Sequence, residues 1–321
     1  MEADITSASR FYFSPVLYMM YNINKGLAVV ATAGLFACSA AFGAEYWVDG
    51  VNQYSGWYDA NKPVDEMKTD YTSMASMCHA ATAANLISWW QDKYSNIPTG
   101  VATGTDVWAS FQDKVNEEKG GTALCKNDVQ WWINGKGDVY FNDFNSPYAS
   151  LSISSESLDK FITYTRVFPA SNSVSDVLKN AIISGMGIGL KLSPQQGPHH
   201  EITLWGIQTA DSGDIIGMWL TDSDDTKAAY GGVTSPSLFY VEVETYTKDE
   251  NVTLVIKDNE LLPDTHKDSD RGLQGYYIHG IYLLDPSISD EWGLVRSVPE
   301  PTTATLSLMA LAALAARRRR K

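Results

Sequence analysis

The pattern of apolar and polar residues predicts helices in the first half of the chain and strands in the second. The clearest helix begins near Met77, where apolar residues recur at helical spacing and continue through Trp89 and Trp90 as far as Lys93. Ser76 precedes this segment and is a suitable residue to cap it. Shorter helices are predicted at Val107–Asn116, at Asp128–Ile133 and at Ser175–Ser184, before Gly185.

After residue 187 the chain consists mainly of short segments rich in β-branched and aromatic residues, separated by turn-forming residues. Helices followed by strands are typical of an α+β domain. We therefore expect an α+β fold in which the helices pack on one side of a mostly antiparallel sheet. The predicted strands are Ile188–Leu192, Glu201–Gln208, Ile215–Thr221, Ser237–Val243, Asn251–Ile256 and Tyr276–Leu284.

The N-terminal segment has the features of a secretory signal peptide. Lys25 precedes an apolar run from Gly26 to Phe36, and small residues follow as far as Ala44. Residues 1–44 are therefore predicted to be removed on export, with Met19 or Met20 as alternative translation starts. A single membrane anchor is the other interpretation, but the apolar run is shorter than the ~20 residues that a membrane-spanning helix needs.

The C-terminal segment combines a Pro299-Glu300-Pro301 motif, an apolar stretch and a basic cluster that ends at Lys321. This order resembles the PEP-CTERM sorting signal of exported bacterial proteins, here over residues 298–321. The basic cluster would remain on the cytoplasmic side of the membrane. The resemblance implies a sorting transpeptidase as a partner and a protein found at the cell surface, in the periplasm or outer membrane, or secreted after processing. A plain C-terminal anchor would give the same orientation.

The charge balance limits the possible partners of the chain. The sequence holds 24 Lys and Arg residues against 38 Asp and Glu residues, which gives a formal net charge of −14. The two predicted signals hold seven basic residues against three acidic ones, so the domain that remains after their removal is more acidic still. Such a surface repels phosphate groups, and we therefore expect neither nucleic acid nor an anionic membrane as a partner.

Two cysteines remain between the predicted signals, Cys78 and Cys125. Cys78 lies at the predicted N-terminus of the first helix, where backbone N–H groups and the helix dipole favour a thiolate. This position suits a nucleophile. A buried structural cysteine is one alternative, and a disulfide between Cys78 and Cys125 in an exported protein is another.

A predicted β-hairpin brings a histidine close to two aspartates. The turn lies around Ser212, and residues at equal distances from the turn face each other in an antiparallel pair. His200 is thereby placed opposite the segment that contains Asp222 and Asp224, whose side chains share one face of the strand. A carboxylate beside an imidazole fixes its tautomer and stabilises its charged form. A polar turn without chemistry, or a weak calcium site, is the alternative interpretation.

Several motifs along the chain resemble those of one enzyme family. The motifs occur in the order Gly56–Lys62, Met77–Asn85, Trp89-Trp90, His200–Gly206 and Thr221–Asp224. In this order they are similar to the IdeS/Mac-type immunoglobulin-degrading cysteine endopeptidases, over about Glu45–Tyr240. The resemblance implies a papain-like cysteine protease fold over residues 45–297 and an exported enzyme that hydrolyses peptide bonds.

The resemblance also implies a role for each matching residue. Cys78 corresponds to the nucleophile, His200 to the general base and Asp222 to the acid that orients the histidine. Asp224 corresponds to a second aspartate that supports the site. Lys62 corresponds to a lysine that forms the oxyanion hole together with the backbone N–H of Cys78, where a cation stabilises the developing charge. No metal or organic cofactor is implied.

Two other histidines lie next to predicted site residues. His79 follows the nucleophile on the helix, and its side chain is expected to point elsewhere. His199 precedes the predicted base, and strand alternation directs it to the opposite face. Cys125 matches no residue of known role in the family, and we expect it to be structural or incidental.

The substrate is predicted only as a class. Known members of the family cut immunoglobulin G at its hinge, but the connection between Cys78 and His200 is shorter here, so substrate-contacting loops must differ. The prediction is therefore a protein or peptide substrate outside the cell. Two alternatives use the same residues: a catalytically silent binding module displayed on the surface, and an acyl transferase in which a nucleophile other than water attacks the acyl-enzyme.

Overall fold

The structure of the chain is a computed structural model that describes residues 43–62, 76–114, 124–137, 141–168, 173–194, 199–224, 236–248, 251–257, 273 and 275–297. The predicted signal peptide, apart from its last two residues, lies outside the described residues, as does the predicted sorting segment 298–321. Within these ranges, no helix is long and apolar enough to cross a membrane.

Most helices of the described chain precede residue 184, and most strands follow residue 186, as the sequence pattern predicts. Strands β1 (Glu45–Trp47) and β2 (Ile162–Arg166) and helix α4 (Ser155–Phe161) were not predicted. Two short 3₁₀ helices occupy Pro147–Leu151 and Pro286–Trp292. The helices are α1 (Cys78–Gln91), α2 (Asp106–Lys114), α3 (Cys125–Asn134), α4 (Ser155–Phe161) and α5 (Val174–Ile183). The strands are β1 (Glu45–Trp47), β2 (Ile162–Arg166), β3 (Gly187–Ser193), β4 (His200–Thr209), β5 (Ile215–Thr221), β6 (Phe239–Lys248), β7 (Asn251–Ile256) and β8 (Tyr277–Leu284).

Six of the strands form a closed antiparallel barrel. Their order is β4-β3-β8-β7-β6-β5, and β5 pairs in turn with β4, which closes the ring. Strands β7 and β8 pair over a short length only: Val255 and Tyr277 are the register pair that joins them. Strands β1 and β2 extend the sheet by pairing with β4 and β8.

The predicted papain-like fold, with helices packed on an antiparallel sheet, is therefore wrong. The sheet closes on itself as a barrel, and the strand-rich barrel rather than a helix-covered sheet dominates the architecture. Closure depends on pairing between β3 and β8, which are about 90 positions apart in the chain. Alternation within a segment shows that it is a strand but does not show which distant strand it joins.

The barrel interior is filled by apolar side chains from alternate positions of neighbouring strands. Leu190 lies between Ile202 on β4 and Ile281 on β8, and Leu204 pairs with Leu220 on β5. All five side chains are at most 1% exposed. Because side chains alternate along a strand, the intervening residues point outward, where helix α1 covers β3 and β4.

Helix α1 packs closely on the outer face of the barrel because two glycines of β3 leave room for it. A Cβ atom at Gly187 would lie 2.7 Å from the ring of Trp89, and one at Gly189 would lie 2.9 Å from the methyl group of Thr82. Neither distance is compatible with an ordinary contact, so a side chain at either position would push the helix away. This close packing brings the N-terminus of α1 to the start of β4.

Candidate active site

The predicted nucleophile, Cys78, is the first residue of helix α1. Its side chain is partly buried and is a free thiol. Met77 occupies the N-cap position and makes no side-chain capping bond, so the predicted cap at Ser76 is wrong. The first N–H groups of a helix have no partner within the helix. They are therefore available to act on a charge that forms at Cys78.

The β4–β5 hairpin places His200 beside Asp222. His200 Nε2 lies 2.7 Å from Asp222 Oδ1, and the two side chains are 13% and 3% exposed. The predicted fold about Ser212 is confirmed by the register, since Thr203 faces Thr221 near the site. Each of the two strands contains one bulge, and the pairs between the bulges are shifted by one residue. Because the two shifts are opposite, they cancel before the strands reach His200.

Cys78 and His200 are close enough for each group to shift the pKa of the other. Burial alone would raise the pKa of the Cys78 thiol, but the hydrogen bond to His200, with the charges of His200 and Lys62, outweighs it and lowers that pKa. Burial alone would lower the pKa of His200, but Asp222 and the bond to Cys78 hold it well above its usual value. Since Nε2 faces Asp222, Nδ1 is the nitrogen left for the thiol. These shifts favour a thiolate–imidazolium pair.

The predicted oxyanion residue, Lys62, forms an ion pair at the same place. Its Nζ lies 2.7 Å from Asp224 Oδ1, and its side chain is 3% exposed. Burial alone would lower the pKa of Lys62, but the charges of Asp224 and Cys78 outweigh this effect. The pKa of Lys62 is therefore raised, and its ammonium group stays protonated. The backbone N–H of Asp224 donates to Asp222 Oδ1 over 3.0 Å, which joins the two carboxylates in one network.

The segment that carries Lys62 is fixed to the rest of the fold by a hydrogen bond at almost every residue. The backbone N–H of Lys62 donates to the carbonyl oxygen of Ser223 over 3.0 Å. The Thr221 hydroxyl donates to the carbonyl of Tyr58, and the indole of Trp108 donates to the carbonyl of Asn61 over 2.7 Å. The position of Lys62 therefore follows from contacts with β5 and α2.

The neighbouring histidines lie elsewhere, as predicted. His79 is buried, and its Nδ1 lies 2.5 Å from Asp128 Oδ2 on α3. Burial alone would lower the pKa of His79, but Asp128 outweighs it and raises the value to about 9. His199 is exposed, and its ring lies 5.0 Å from that of His279. Neither ring replaces His200 at the carboxylate of Asp222.

The second cysteine, Cys125, is a buried free thiol at the start of α3. The disulfide alternative is therefore absent from this structure. The backbone N–H of Cys125 donates to Glu201 Oε2 over 3.1 Å, and the phenol of Tyr282 donates to the other carboxylate oxygen of Glu201. Burial, together with the charges of Glu201 and Asp128, raises the pKa of Cys125 well above its usual value. The surroundings thus favour the thiolate form of Cys78 and the neutral thiol form of Cys125.

Two residues near the site were not singled out from the sequence. Tyr276 precedes β8 and is close enough to His200 and Asp222 for their charges to act on its phenol, whose pKa is raised mainly by burial. Asn85 lies on the buried face of α1, seven residues after Cys78. Seven residues are about two helical turns. Thr82, Ser88 and Gln91 are also buried on α1, so Asn85 belongs to a row of polar residues three positions apart, and that spacing was the signal that could have identified it.

The described residues bring Cys78, His200, Asp222, Asp224 and Lys62 into one site. The arrangement combines a thiol whose pKa is lowered, an oriented imidazole and a buried cation, which are the components of nucleophilic catalysis. Among the described residues, no group of three or more His, Cys, Asp or Glu side chains is arranged to hold a metal ion.

Comparison with known proteins identifies the C-terminal segment. Residues 297–321 match the PEP-CTERM protein-sorting motif. The protein is therefore exported, and its final location is the cell surface or the extracellular medium, as predicted. No curated protein matches the chain. The match begins where the described domain ends, so it says nothing of the activity at Cys78, and the similarity to IdeS/Mac-type endopeptidases stays a prediction.

Proposed function

We propose that the protein is an exported cysteine endopeptidase, similar in its site residues to the IdeS/Mac type, that hydrolyses peptide bonds of extracellular or surface proteins. The observation that carries this proposal is the position of His200, whose Nε2 lies 2.7 Å from Asp222 Oδ1 and whose ring is close enough to Cys78 to lower the pKa of the thiol. A nucleophile, a base and an orienting acid within hydrogen-bond reach are the arrangement that thiol-dependent acyl transfer requires.

In the proposed reaction the Cys78 thiolate attacks the scissile carbonyl carbon, and the carbonyl oxygen becomes an oxyanion. Lys62 and the backbone N–H of Cys78 stabilise that charge. The His200 imidazolium donates its proton to the leaving amine as the C–N bond breaks, which leaves a thioester on Cys78. Neutral His200 then takes a proton from water, whose oxygen attacks the thioester carbon. The C–S bond breaks, the carboxylic acid leaves, and the Cys78 thiolate and the His200 imidazolium are restored.

The test is hydrolysis of fluorescein-labelled casein by the purified full chain under reducing conditions. We expect fragment release by the wild type, its loss in Cys78→Ala, and its retention in Cys125→Ala, which removes the other thiol. Fragment release that survives Cys78→Ala would contradict the assignment. Absence of cleavage, together with a Cys78 that iodoacetamide does not label at neutral pH, would favour the silent binding module.

A modified form of this assay separates hydrolysis from acyl transfer. Addition of a primary amine at millimolar concentration gives the acyl-enzyme a competing acceptor. Mass spectrometry of the fragments then shows whether the new C-termini carry a carboxylate or the amide of the added amine. We expect carboxylates to predominate, whereas exclusive amide formation would identify the protein as a transferase.

A further inference from the structure

Helix α1 carries a buried amide that contacts three other parts of the chain. Asn85 is 4% exposed, and its Oδ1 accepts a hydrogen bond from the backbone N–H of Ala60 over 2.8 Å. Its Nδ2 donates to Thr203 Oγ1 over 3.0 Å and to Thr221 Oγ1 over 3.4 Å. The amide group therefore serves as acceptor on one side and as donor on the other.

Each contacted segment leads directly to a predicted site residue. Ala60 lies two positions before Lys62. Thr203 lies three positions after His200 on β4, and Thr221 is the last residue of β5, next to Asp222. Thr203 and Thr221 face each other across the hairpin, so a single side chain reaches both strands at once.

The surroundings of Asn85 strengthen these links. The Thr221 hydroxyl donates to the carbonyl of Tyr58 over 3.0 Å, and it accepts from the indole N–H of Trp205 over 2.9 Å. The backbone of the Lys62 segment, the hairpin and α1 thus meet in one buried hydrogen-bond network. Because a buried donor or acceptor that loses its partner is costly, such a network favours one relative placement of its members.

We infer that Asn85 is a positioning residue, which holds the Lys62 segment and the His200–Asp222 hairpin in register with Cys78. The catalytic consequence of this inference rests on the proposed function, whereas the structural role of Asn85 does not depend on that function. Asn85 does not touch the reacting atoms; it acts through Ala60, Thr203 and Thr221. Removing its amide would leave the N–H of Ala60 without this acceptor and would release the segment that presents Lys62.

The test compares Asn85→Ala with Gln91→Ala in the full chain. Gln91 is a matched control, because it is a buried amide on the same helix whose Nε2 donates to two groups, the carbonyl of Ala102 and the hydroxyl of Tyr148. Neither group belongs to a segment that carries a predicted site residue. Both variants lose a buried amide from α1, so they separate a loss of helix stability from a loss of positioning.

The first measurement is hydrogen–deuterium exchange of the peptide that covers residues 57–62. We expect at least tenfold faster exchange in Asn85→Ala than in the wild type, and little change in Gln91→Ala. The second is iodoacetamide labelling of Cys78 at pH 6, where a pKa raised by one unit slows the reaction by about tenfold. The third is casein hydrolysis, in which kcat should fall while KM changes little.

The outcomes distinguish the two proposals. If the wild-type thiol is inert, the proposed function fails, and the exchange measurement still decides whether Asn85 holds the segment. If the wild type is active but Asn85→Ala matches Gln91→Ala in exchange and labelling, the positioning role is wrong. If Asn85→Ala does not fold, Thr203→Val replaces it, because valine keeps the shape of threonine and removes only the hydroxyl. The same changes with smaller amplitude are then expected, and their absence would overturn the inference.

Discussion

Lys62 and Asp224 are 162 positions apart in the sequence, yet Lys62 Nζ lies 2.7 Å from Asp224 Oδ1. The lysine side chain is 3% exposed and the aspartate side chain is 22% exposed, so water reaches the pair from one side only. A cation in such a place is weakly screened, and its charge acts on groups nearby. The charge of Lys62 is one of the causes that lower the pKa of Cys78.

Replacement of Lys62 by methionine should lower kcat with little effect on KM. Methionine keeps an unbranched apolar chain but removes the charge, so the oxyanion loses one stabilising group, which typically costs about 100-fold to 1,000-fold in kcat. Steady-state casein hydrolysis measures the change. The control is Lys93→Met, since Lys93 pairs with Asp49 at the other end of α1. Unchanged kcat in Lys62→Met, or equal losses in both variants, would contradict the role of Lys62.

The two aspartates should differ in their contribution to activity. Asp222 Oδ1 accepts from His200 and from the backbone N–H of Asp224, whereas the side chain of Asp224 contacts Lys62. Asp222→Asn should lower kcat/KM by about 100-fold or more, because an amide can hold the imidazole in the wrong tautomer and does not stabilise its charge. Asp224→Asn should have a smaller effect. Near-UV circular dichroism checks that both variants fold, and equal losses would show that Asp222 does not orient His200.

Much of the site could be predicted from the sequence because its parts are local. His200, the turn around Ser212 and Asp222 belong to one hairpin, and the register that places them together follows from counting outward from the turn. Cys78 lies at the start of a helix whose apolar spacing is evident. The positions of strands β3, β5 and β7 were also predictable to within a residue, since alternation and turn residues mark their ends.

The barrel could not be predicted in the same way, because its closure depends on contacts between distant segments. Strand β8 pairs with β3 along most of its length and meets β7 at Tyr277, and no local pattern specifies either partner. Asn85 was overlooked for a similar reason. Its three partners come from three separate segments, and an asparagine in a helix that buries several polar residues does not indicate which segments it will contact.

Labelling of Cys78 should persist to lower pH than labelling of an ordinary thiol. The lowered pKa of Cys78 keeps the thiolate present as the pH falls, and the raised pKa of His200 keeps its imidazole protonated over the same range. Removal of the imidazole in His200→Gln should therefore move the midpoint of the labelling curve upward. The second-order rate constant for iodoacetamide between pH 4 and pH 10, with peptide mapping, measures this midpoint. Identical curves for the two proteins would show that His200 does not act on the thiol.

The buried pair of His79 and Asp128 should make the stability of the domain depend on pH above neutrality. In the folded chain the pKa of His79 is about 9, against about 6.5 for an unperturbed histidine. The folded state therefore binds a proton that the unfolded state releases. The resulting stabilisation is complete below pH 6.5 and is lost as the pH rises through 9, and it amounts to at most about 3 kcal/mol.

A double variant, His79→Asn with Asp128→Asn, isolates this contribution because it keeps polar side chains of similar size at both positions without a titrating group. Urea unfolding of the wild type between pH 6 and pH 10 should show a falling free energy of unfolding, and the fall should be smaller in the double variant. The single variant His79→Asn leaves the carboxylate of Asp128 in an environment that is 0% exposed, so it should lose about 3–5 kcal/mol. Parallel curves for the wild type and the double variant would show that His79 is not protonated in the folded chain. The pH dependence would then have to arise from other groups whose pKa is raised in the folded chain, such as His200 and Cys125.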